Sequence, residues 1–115
     1  MHALIIEDEL LIAAIIEEIL VECGFTSFDI APSGAEAVAA AARRCPDLIT
    51  ADVELQPGSG IDAVNEICSG PEIPVVFITG SAGQVRERMP LYPLIVKPFS
   101  ADTVMRAVKS ALASR

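Results

Sequence analysis

Acidic, hydroxyl and basic side chains lie directly after four short apolar runs of this chain. The runs cover residues 4–6, 48–51, 75–78 and 94–96, and the polar residues that follow them are Glu7, Asp8, Asp52, Thr79 and Lys97. Three carboxylates, one hydroxyl and one ammonium group would suit a divalent metal ion and a phosphoryl group. The sequence therefore predicts phosphoryl chemistry, provided that the fold brings these side chains together.

The three carboxylates suggest a metal site and a nucleophile. Glu7, Asp8 and Asp52 would repel one another strongly at a few ångströms unless a cation lay among them. Mg²⁺ is the natural cation because it prefers oxygen ligands and also binds phosphate. A carboxylate beside such a metal can attack phosphorus and form an acyl phosphate. Asp52 is best placed for this role, since it ends the central predicted strand opposite Thr79 and Lys97.

The elements that must position these residues alternate between strand and helix about five times. Strands are predicted over residues 3–7, 26–31, 48–52, 74–78 and 94–97. Helices are predicted over residues 9–23, 34–44 and 61–69 and after Ser100. Ser33 and Glu36 form a capping box at the second helix. Residues 80–93 carry only a scattered helical signal, so the fourth helix is expected to be short or irregular.

This alternation predicts a doubly wound α/β domain with a five-stranded parallel sheet. Helical crossovers between parallel strands are right-handed, and five strands favour the order 2-1-3-4-5. In that order the switch point lies between strands one and three, and ligands bind beyond the carboxyl ends of the strands there. These two strands end in Glu7-Asp8 and in Asp52. Topology and side-chain chemistry therefore indicate the same edge of the sheet.

Length, composition and net charge limit the number of domains and the kinds of partner that this chain can bind. The chain has 115 residues, of which 52% are hydrophobic, and a formal net charge of −8. This length predicts one domain over residues 1–115 with no effector domain, and the apolar content is sufficient for a core. The negative charge argues against binding to nucleic acid or to an anionic membrane, because both need clustered Lys and Arg.

The cysteines and the single histidine do not suggest a further site. Cys23, Cys45 and Cys68 are too widely spaced for a zinc or redox motif, and His2 is expected at the surface. The N-terminus lacks the basic region of a signal peptide, and the apolar run Leu10–Ile16 is too short to span a bilayer. A cytoplasmic location with reduced thiols is therefore expected.

The polar motif set resembles the receiver domain of bacterial two-component response regulators over essentially the whole chain. Its parts are Glu7-Asp8 after strand one, Asp52 at the end of strand three, Thr79 at the end of strand four and Lys97-Pro98-Phe99 after strand five. The resemblance implies a flavodoxin-like receiver fold in which Asp52 is the phosphoacceptor. Since five positions match in order at the ends of strands, the signal is specific.

The same resemblance assigns the remaining site residues. It implies that Asp8, Asp52 and Glu7, the last partly through water, hold Mg²⁺ together with the backbone carbonyl of Glu54. It implies that Thr79 and Lys97 bind the phosphoryl oxygens. It also implies a cis peptide bond between Lys97 and Pro98.

Four segments point to a subgroup of receivers. Leu48–Leu55 and Gly60–Val64 are similar to receivers of the alphaproteobacterial general stress response. Val76–Gly80, together with Lys97-Pro98-Phe99, is similar to the single-domain group nicknamed FAT GUY.

The chain departs from these patterns at two places. Leu94 lies three residues before the lysine, where most receivers carry Tyr or Phe, and Tyr92 lies two residues earlier. Ser81 lies after the Thr-Gly pair, close to the position where the FAT GUY pattern has an aromatic residue.

The leading hypothesis is a stand-alone, monomeric receiver. It would accept a phosphoryl group on Asp52 from a sensor histidine kinase or a histidine phosphotransfer protein, and signal by protein–protein contact or by further transfer. One alternative is a pseudo-receiver that only binds a partner. Another is a small Asp-dependent phosphohydrolase, for which Asp52-Val53-Glu54 offers a second acid. That enzyme layout has its nucleophile on the first strand and a capping domain, neither of which this sequence predicts.

The first helix is more apolar than one core-facing stripe requires. Leu10, Leu11 and Ala14 lie near its site end, beyond the stripe that would face the core. The resemblance implies that this end docks on the helical dimerisation domain of a sensor kinase. Ordinary burial of these residues is the alternative.

Overall fold

Five strands and five helices alternate along the chain in the computed structural model, which describes residues 1–114. The strands are β1 (His2–Ile6), β2 (Ser27–Ala31), β3 (Leu48–Ala51), β4 (Val75–Thr79) and β5 (Leu94–Val96). The helices are α1 (Leu10–Glu22), α2 (Gly34–Arg43), α3 (Gly60–Ile67), α4 (Ala82–Arg88) and α5 (Ala101–Ala113). All strand pairs are parallel in the order β2-β1-β3-β4-β5. The predicted fold class is confirmed.

The register of the sheet places the polar residues side by side. Ile6 of β1 pairs with Ala51 of β3, so Glu7 and Asp52 leave adjacent strands at the same level. Thr79 of β4 pairs with Val96 of β5, so Lys97 leaves its strand next to Thr79.

The sheet separates two apolar layers, because successive side chains of a strand point to opposite faces. On the face that we call the α2–α4 side, residues such as Ile6, Ile49 and Phe77 pack against α2, α3 and α4. On the opposite face, the α1–α5 side, residues such as Ile5 and Val76 pack against α1 and α5. Burial of both faces explains why the inner strands β1, β3 and β4 are almost entirely apolar.

Local signals set several helix ends as predicted. At the start of α2 the Ser33 hydroxyl accepts from the Glu36 N–H at 3.2 Å, which is the N-cap bond of the predicted capping box. The Glu36 carboxylate accepts from the Ser33 hydroxyl at 3.0 Å rather than from the Ser33 N–H. Gly24 follows α1 with a φ of 100°, a conformation that glycine adopts without strain. The other element boundaries agree with the predicted ones to within two residues.

The fourth helix is short, as predicted. It has seven residues, Ala82–Arg88. Among residues 1–114, no helix is long and apolar enough to cross a membrane.

The expectation that His2 lies at the surface is wrong. His2 belongs to β1 and is only 4% exposed. Its ring Nδ1 lies 2.7 Å from the Ser27 hydroxyl and its Nε2 lies 3.0 Å from the Asp29 carboxylate, both on β2. Since these partners are 25 and 27 residues away in sequence, no local pattern indicated that the ring would be buried.

Candidate functional site

The carboxylates of Glu7, Asp8 and Asp52 form one cluster at the carboxyl edge of the sheet. One oxygen of each lies within 4.8 Å of the others. Glu7 is 1% exposed and Asp52 is 7% exposed, whereas Asp8 is half-buried. The backbone fixes this arrangement, because the Asp52 N–H donates to the Ile6 carbonyl at 3.0 Å. The structure thus brings together the three acids that the sequence singled out.

The ammonium of Lys97 joins this cluster from β5. Its Nζ donates to Asp52 Oδ2 at 2.8 Å and to Glu7 Oε1 at 2.9 Å. Burial on its own would lower the pKa of Lys97, but the hydrogen bonds to Asp52 and Glu7 outweigh it and raise that pKa. Lys97 therefore stays charged and partly neutralises the two most deeply buried acids.

Burial dominates the electrostatics of Glu7. It raises the pKa of the Glu7 carboxyl, although hydrogen bonds from Lys97 and from the Glu9 N–H, at 3.2 Å, act in the opposite direction. Among residues 1–114, three carboxylates face a single ammonium at this edge, so negative charge is left uncompensated. The donor set consists of oxygens alone, which fits a hard divalent cation such as Mg²⁺.

Thr79 supplies a hydroxyl at the end of β4. Its side chain is fully buried, and its Oγ1 accepts a hydrogen bond from the Ser81 N–H at 3.0 Å. The adjoining strand end is fixed by the Lys97 N–H, which donates to the Thr79 carbonyl at 3.0 Å. Because the hydroxyl oxygen accepts this bond, its proton remains the part of the group that can be donated to a ligand.

Glu54 contacts the site through its backbone and an adjacent loop through its side chain. Its N–H donates to Asp52 Oδ1 at 3.3 Å, and its exposed carboxylate accepts a hydrogen bond from the Ser81 hydroxyl. The sequence had suggested only the Glu54 carbonyl as a ligand and had missed the side-chain contact. The closeness of Ser81 to Thr79 in sequence was the one available signal for it.

Gly60 holds the loop that follows Asp52. Its N–H donates to the Val53 carbonyl at 2.9 Å. A Cβ at this position would lie 2.8 Å from the carbonyl carbon of Asp52 and closer still to its oxygen. The first residue of α3 must therefore lack a side chain. The sequence had indicated a turn over residues 56–60 from which Ser59 or Gly60 could start a helix, and it had missed this contact.

The departure at Leu94 and Tyr92 has a structural counterpart on the α2–α4 side. Leu94 pairs with Phe77 in the sheet. The Tyr92 ring packs against the Phe77 ring with centroids 5.8 Å apart.

The peptide bond between Lys97 and Pro98 is cis, as the resemblance implied.

Comparison with known proteins decides the family. A family model described as the response regulator receiver domain matches residues 3–109. The chain belongs to this receiver family. The receiver fold and its place in two-component signalling, predicted from the polar residues at the strand ends, are thereby confirmed.

Individual relatives of this receiver domain include regulators of several bacteria. PhyR of Methylorubrum extorquens is 40% identical over 113 residues, which cover 95% of this chain and 42% of PhyR. The chemotaxis protein CheY of Bacillus subtilis is 32% identical over 116 residues, which cover 95% of each protein. The chain spans about half the length of the first curated relatives, with 42% of PhyR and 56% of the transcriptional regulatory protein PdtaR of Mycobacterium tuberculosis.

Solved structures agree with this placement. The solution structure of the PhyR receiver domain of Erythrobacter litoralis superposes with a TM-score of 0.90 at 36% identity, over 97% of this chain and 89% of that one. PhyR of Brucella abortus gives a TM-score of 0.89 at 38% identity, over 98% of this chain and 48% of that one. The predicted similarity to receivers of the general stress response is confirmed, and these relatives are signalling regulators rather than phosphohydrolases.

Proposed function

We propose that this receiver domain accepts a phosphoryl group on Asp52 in a two-component phosphorelay. The observation that carries the proposal is the position of the Asp52 carboxylate, with its Oδ2 2.8 Å from the Lys97 ammonium and within the three-acid cluster. A carboxylate held in place by a cation on one side and by a backbone N–H on the other is oriented for attack on phosphorus. The donor would be a sensor histidine kinase or a histidine phosphotransfer protein, which places the exchange in the cytoplasm.

The chemical step is a transfer between two protein side chains. A carboxylate oxygen of Asp52 forms a bond to phosphorus while the bond between phosphorus and the donor's imidazole nitrogen breaks. The electron pair of the broken bond stays on the imidazole. Lys97 and the Thr79 hydroxyl would each donate a hydrogen bond to the phosphoryl oxygens, which stabilises the charge that they carry during transfer.

The three-acid cluster would hold Mg²⁺ in this proposal. Its ligands would be Glu7, partly through water, with Asp8, Asp52 and the backbone carbonyl of Glu54. When bound, Mg²⁺ supplies positive charge to the transferring phosphoryl group. The role of the chain is to keep three carboxylates close enough to bind the ion, at the cost of their mutual repulsion.

The exposed apolar end of α1 supports a helical kinase domain as the donor. Leu10 is 71% exposed and Leu11 is 75% exposed, next to Asp8 at the site, and Ala14 is exposed one turn further on. The alternative of ordinary burial for these residues is wrong. An apolar stripe on a helix is suited to packing against another helix.

The proposal includes a single-domain, monomeric regulator. The single-domain part is supported by the match to CheY of Bacillus subtilis, which this chain covers over 95% of its length. Such a regulator would act by contact with another protein or by passing the phosphoryl group on.

Beryllofluoride, which mimics an aspartyl phosphate, provides the test. We would titrate it with Mg²⁺ into the wild type, Asp52→Asn and Asp62→Asn, and follow backbone amide shifts. Asp62 is a matched control, because it is an exposed acid paired with Arg88 on the neighbouring helix at 2.9 Å. Saturable, Mg²⁺-dependent shifts at Thr79 and Lys97 are expected in the wild type and in Asp62→Asn, and none in Asp52→Asn.

Either of two results would contradict this function. An unchanged response in Asp52→Asn would mean that the mimic binds elsewhere. A folded wild type without any response would favour the pseudo-receiver, whose role is binding alone.

A further inference from the structure

The serines that precede the helices differ in what their hydroxyl groups do. Ser33, Ser59 and Ser100 each accept a hydrogen bond from a backbone N–H in the first turn of α2, α3 and α5, respectively. Ser81 occupies the same position before α4, but within the described chain its hydroxyl makes no such bond. An N-cap bond of this kind stabilises the start of a helix.

The backbone of Ser81 also differs from that of the three capping serines. Their ψ angles are 162°, 136° and 157°, in the extended region that capping requires, whereas ψ at Ser81 is 55°. Capping of α4 by Ser81 therefore needs a rotation of its backbone as well as a free hydroxyl.

Both hydrogen bonds of Ser81 lead to the phosphoryl site. Its hydroxyl donates to the Glu54 carboxylate, and its N–H donates to the Thr79 hydroxyl at 3.0 Å. Glu54 in turn donates its N–H to Asp52. A continuous chain of hydrogen bonds thus runs from Asp52 through Glu54 and Ser81 to Thr79.

We infer that the hydrogen bond to Glu54 keeps the Ser81 hydroxyl from capping α4. The hydroxyl is released and caps α4 when Asp52 carries a phosphoryl group. The inference rests on the proposed function. A phosphoryl group carries about −1.5 to −2 charges and replaces the single negative charge of the Asp52 carboxylate. The added negative charge lies two residues from Glu54 and repels its carboxylate. The Thr79 hydroxyl turns toward the phosphoryl oxygens at the same time, so its contact with the Ser81 N–H is weakened. The hydroxyl of Ser81 then caps α4.

The properties of α4 make it sensitive to such a cap. The helix has seven residues and contains Gly83, and a helix of this length is marginal because nucleation is costly. Its buried contacts are made mainly by Ala82 and Val85. Release of the Ser81 hydroxyl would therefore couple the added negative charge at Asp52 to a more stable first turn of α4.

Amide hydrogen exchange at Gly83 and Gln84 tests this inference, because these are the N–H groups that an N-cap hydroxyl satisfies. In the wild type, beryllofluoride with Mg²⁺ is expected to slow their exchange about five-fold, the factor given by a cap of about 1 kcal/mol. In Ser81→Ala this slowing is expected to vanish, and in Ser81→Thr to return. Ser100→Ala, which removes the cap of α5, is the matched control and is expected to respond like the wild type.

Two variants of Glu54 test separately whether Glu54 keeps the Ser81 hydroxyl from capping α4 and whether charge repulsion releases it. In Glu54→Ala, exchange at Gly83 and Gln84 is expected to be about five-fold slower even without beryllofluoride, since the hydroxyl is free. In Glu54→Gln, the amide still accepts the hydrogen bond but is not repelled, so the slowing on activation is expected to be smaller than in the wild type.

These outcomes distinguish the inference from the function on which it rests. Shifts at Lys97 in the wild type together with unchanged exchange at Gly83 and Gln84 would overturn the cap transfer and leave the phosphoacceptor role standing. Wild-type slowing that persists in Ser81→Ala would do the same. The Glu54→Ala measurement needs no phosphoryl mimic. It therefore tests whether Glu54 keeps Ser81 from capping α4 even in a protein that does not respond to beryllofluoride.

Discussion

Glu7 is a buried acid whose charge opposes the stability of the fold. Burial raises its pKa above the ordinary value of 4.5, despite the hydrogen bonds from Lys97 and the Glu9 N–H. The folded state therefore holds the proton more tightly than the unfolded state does. Ionised Glu7 lowers stability at neutral pH, and the lost stability is regained as the pH falls through the folded pKa toward 4.5.

We therefore predict that Glu7→Gln stabilises the metal-free protein at pH 7. Its Tm should exceed that of the wild type, and the rise in wild-type stability just above pH 4.5 should be reduced in the variant. The same change should weaken Mg²⁺ binding, because one carboxylate ligand is lost. Thermal denaturation in EDTA and a Mg²⁺ titration measure the two effects. A lower Tm than that of the wild type would refute this account of Glu7.

Gly60 is a residue at which a single methyl group should disable the site. We predict that Gly60→Ala lowers the free energy of unfolding by about 3 kcal/mol, because the backbone of Asp52 must move to admit the Cβ. The response to beryllofluoride should weaken with it. Gly70→Ala is the matched control, since a Cβ added there would have no heavy atom within 4 Å, and it should change stability by less than about 1 kcal/mol. Equal effects of the two substitutions in urea denaturation would contradict the prediction.

At the scale of elements, the residues of α1 that stabilise the fold differ from those that are exposed for contact with a donor protein. Ala13, Ile16 and Leu20 face the core, whereas Leu11 is 75% exposed at the site end. We predict that Leu11→Glu leaves stability within about 0.5 kcal/mol of the wild type. Phosphotransfer from a cognate kinase should slow at least about ten-fold, while the beryllofluoride response is retained.

Val21→Glu is the control for this prediction, because Val21 is 55% exposed at the opposite end of the same helix. Its transfer rate should match that of the wild type. Equal rates for all three proteins would show that the site end of α1 does not contact the donor.

The sequence predicts the elements and the acidic cluster well because both depend on local patterns. Buried parallel strands are continuous apolar runs, and residues that follow such runs must meet at one edge, which places Glu7 beside Asp52. The bond between Ser81 and Glu54 and the contact of Gly60 with Asp52 join separate loops. No periodicity or local propensity encodes contacts of this kind, so only the folded chain reveals them.

At the scale of the molecule, the acidic site should bind a cation that stabilises the whole fold. A ligand that binds only the folded state adds about 1.4 kcal/mol at ten times its Kd. We predict that Mg²⁺ raises the Tm of the wild type by about 5 °C or more at that concentration. Asp8→Asn should reduce the effect, and NaCl at equal ionic strength should not reproduce it. A Tm that is independent of Mg²⁺ would contradict the proposed metal site.

The division of the core by the sheet allows two properties of the protein to change independently. The exposed end of α1 belongs to the α1–α5 side, whereas α4 packs on the α2–α4 side. Substitutions on the first side would alter how readily a donor is recognised, and substitutions on the second would alter the consequence of phosphorylation. Such a domain can therefore diverge in its source of input and in its target by separate mutational steps, with the strand-end residues kept constant.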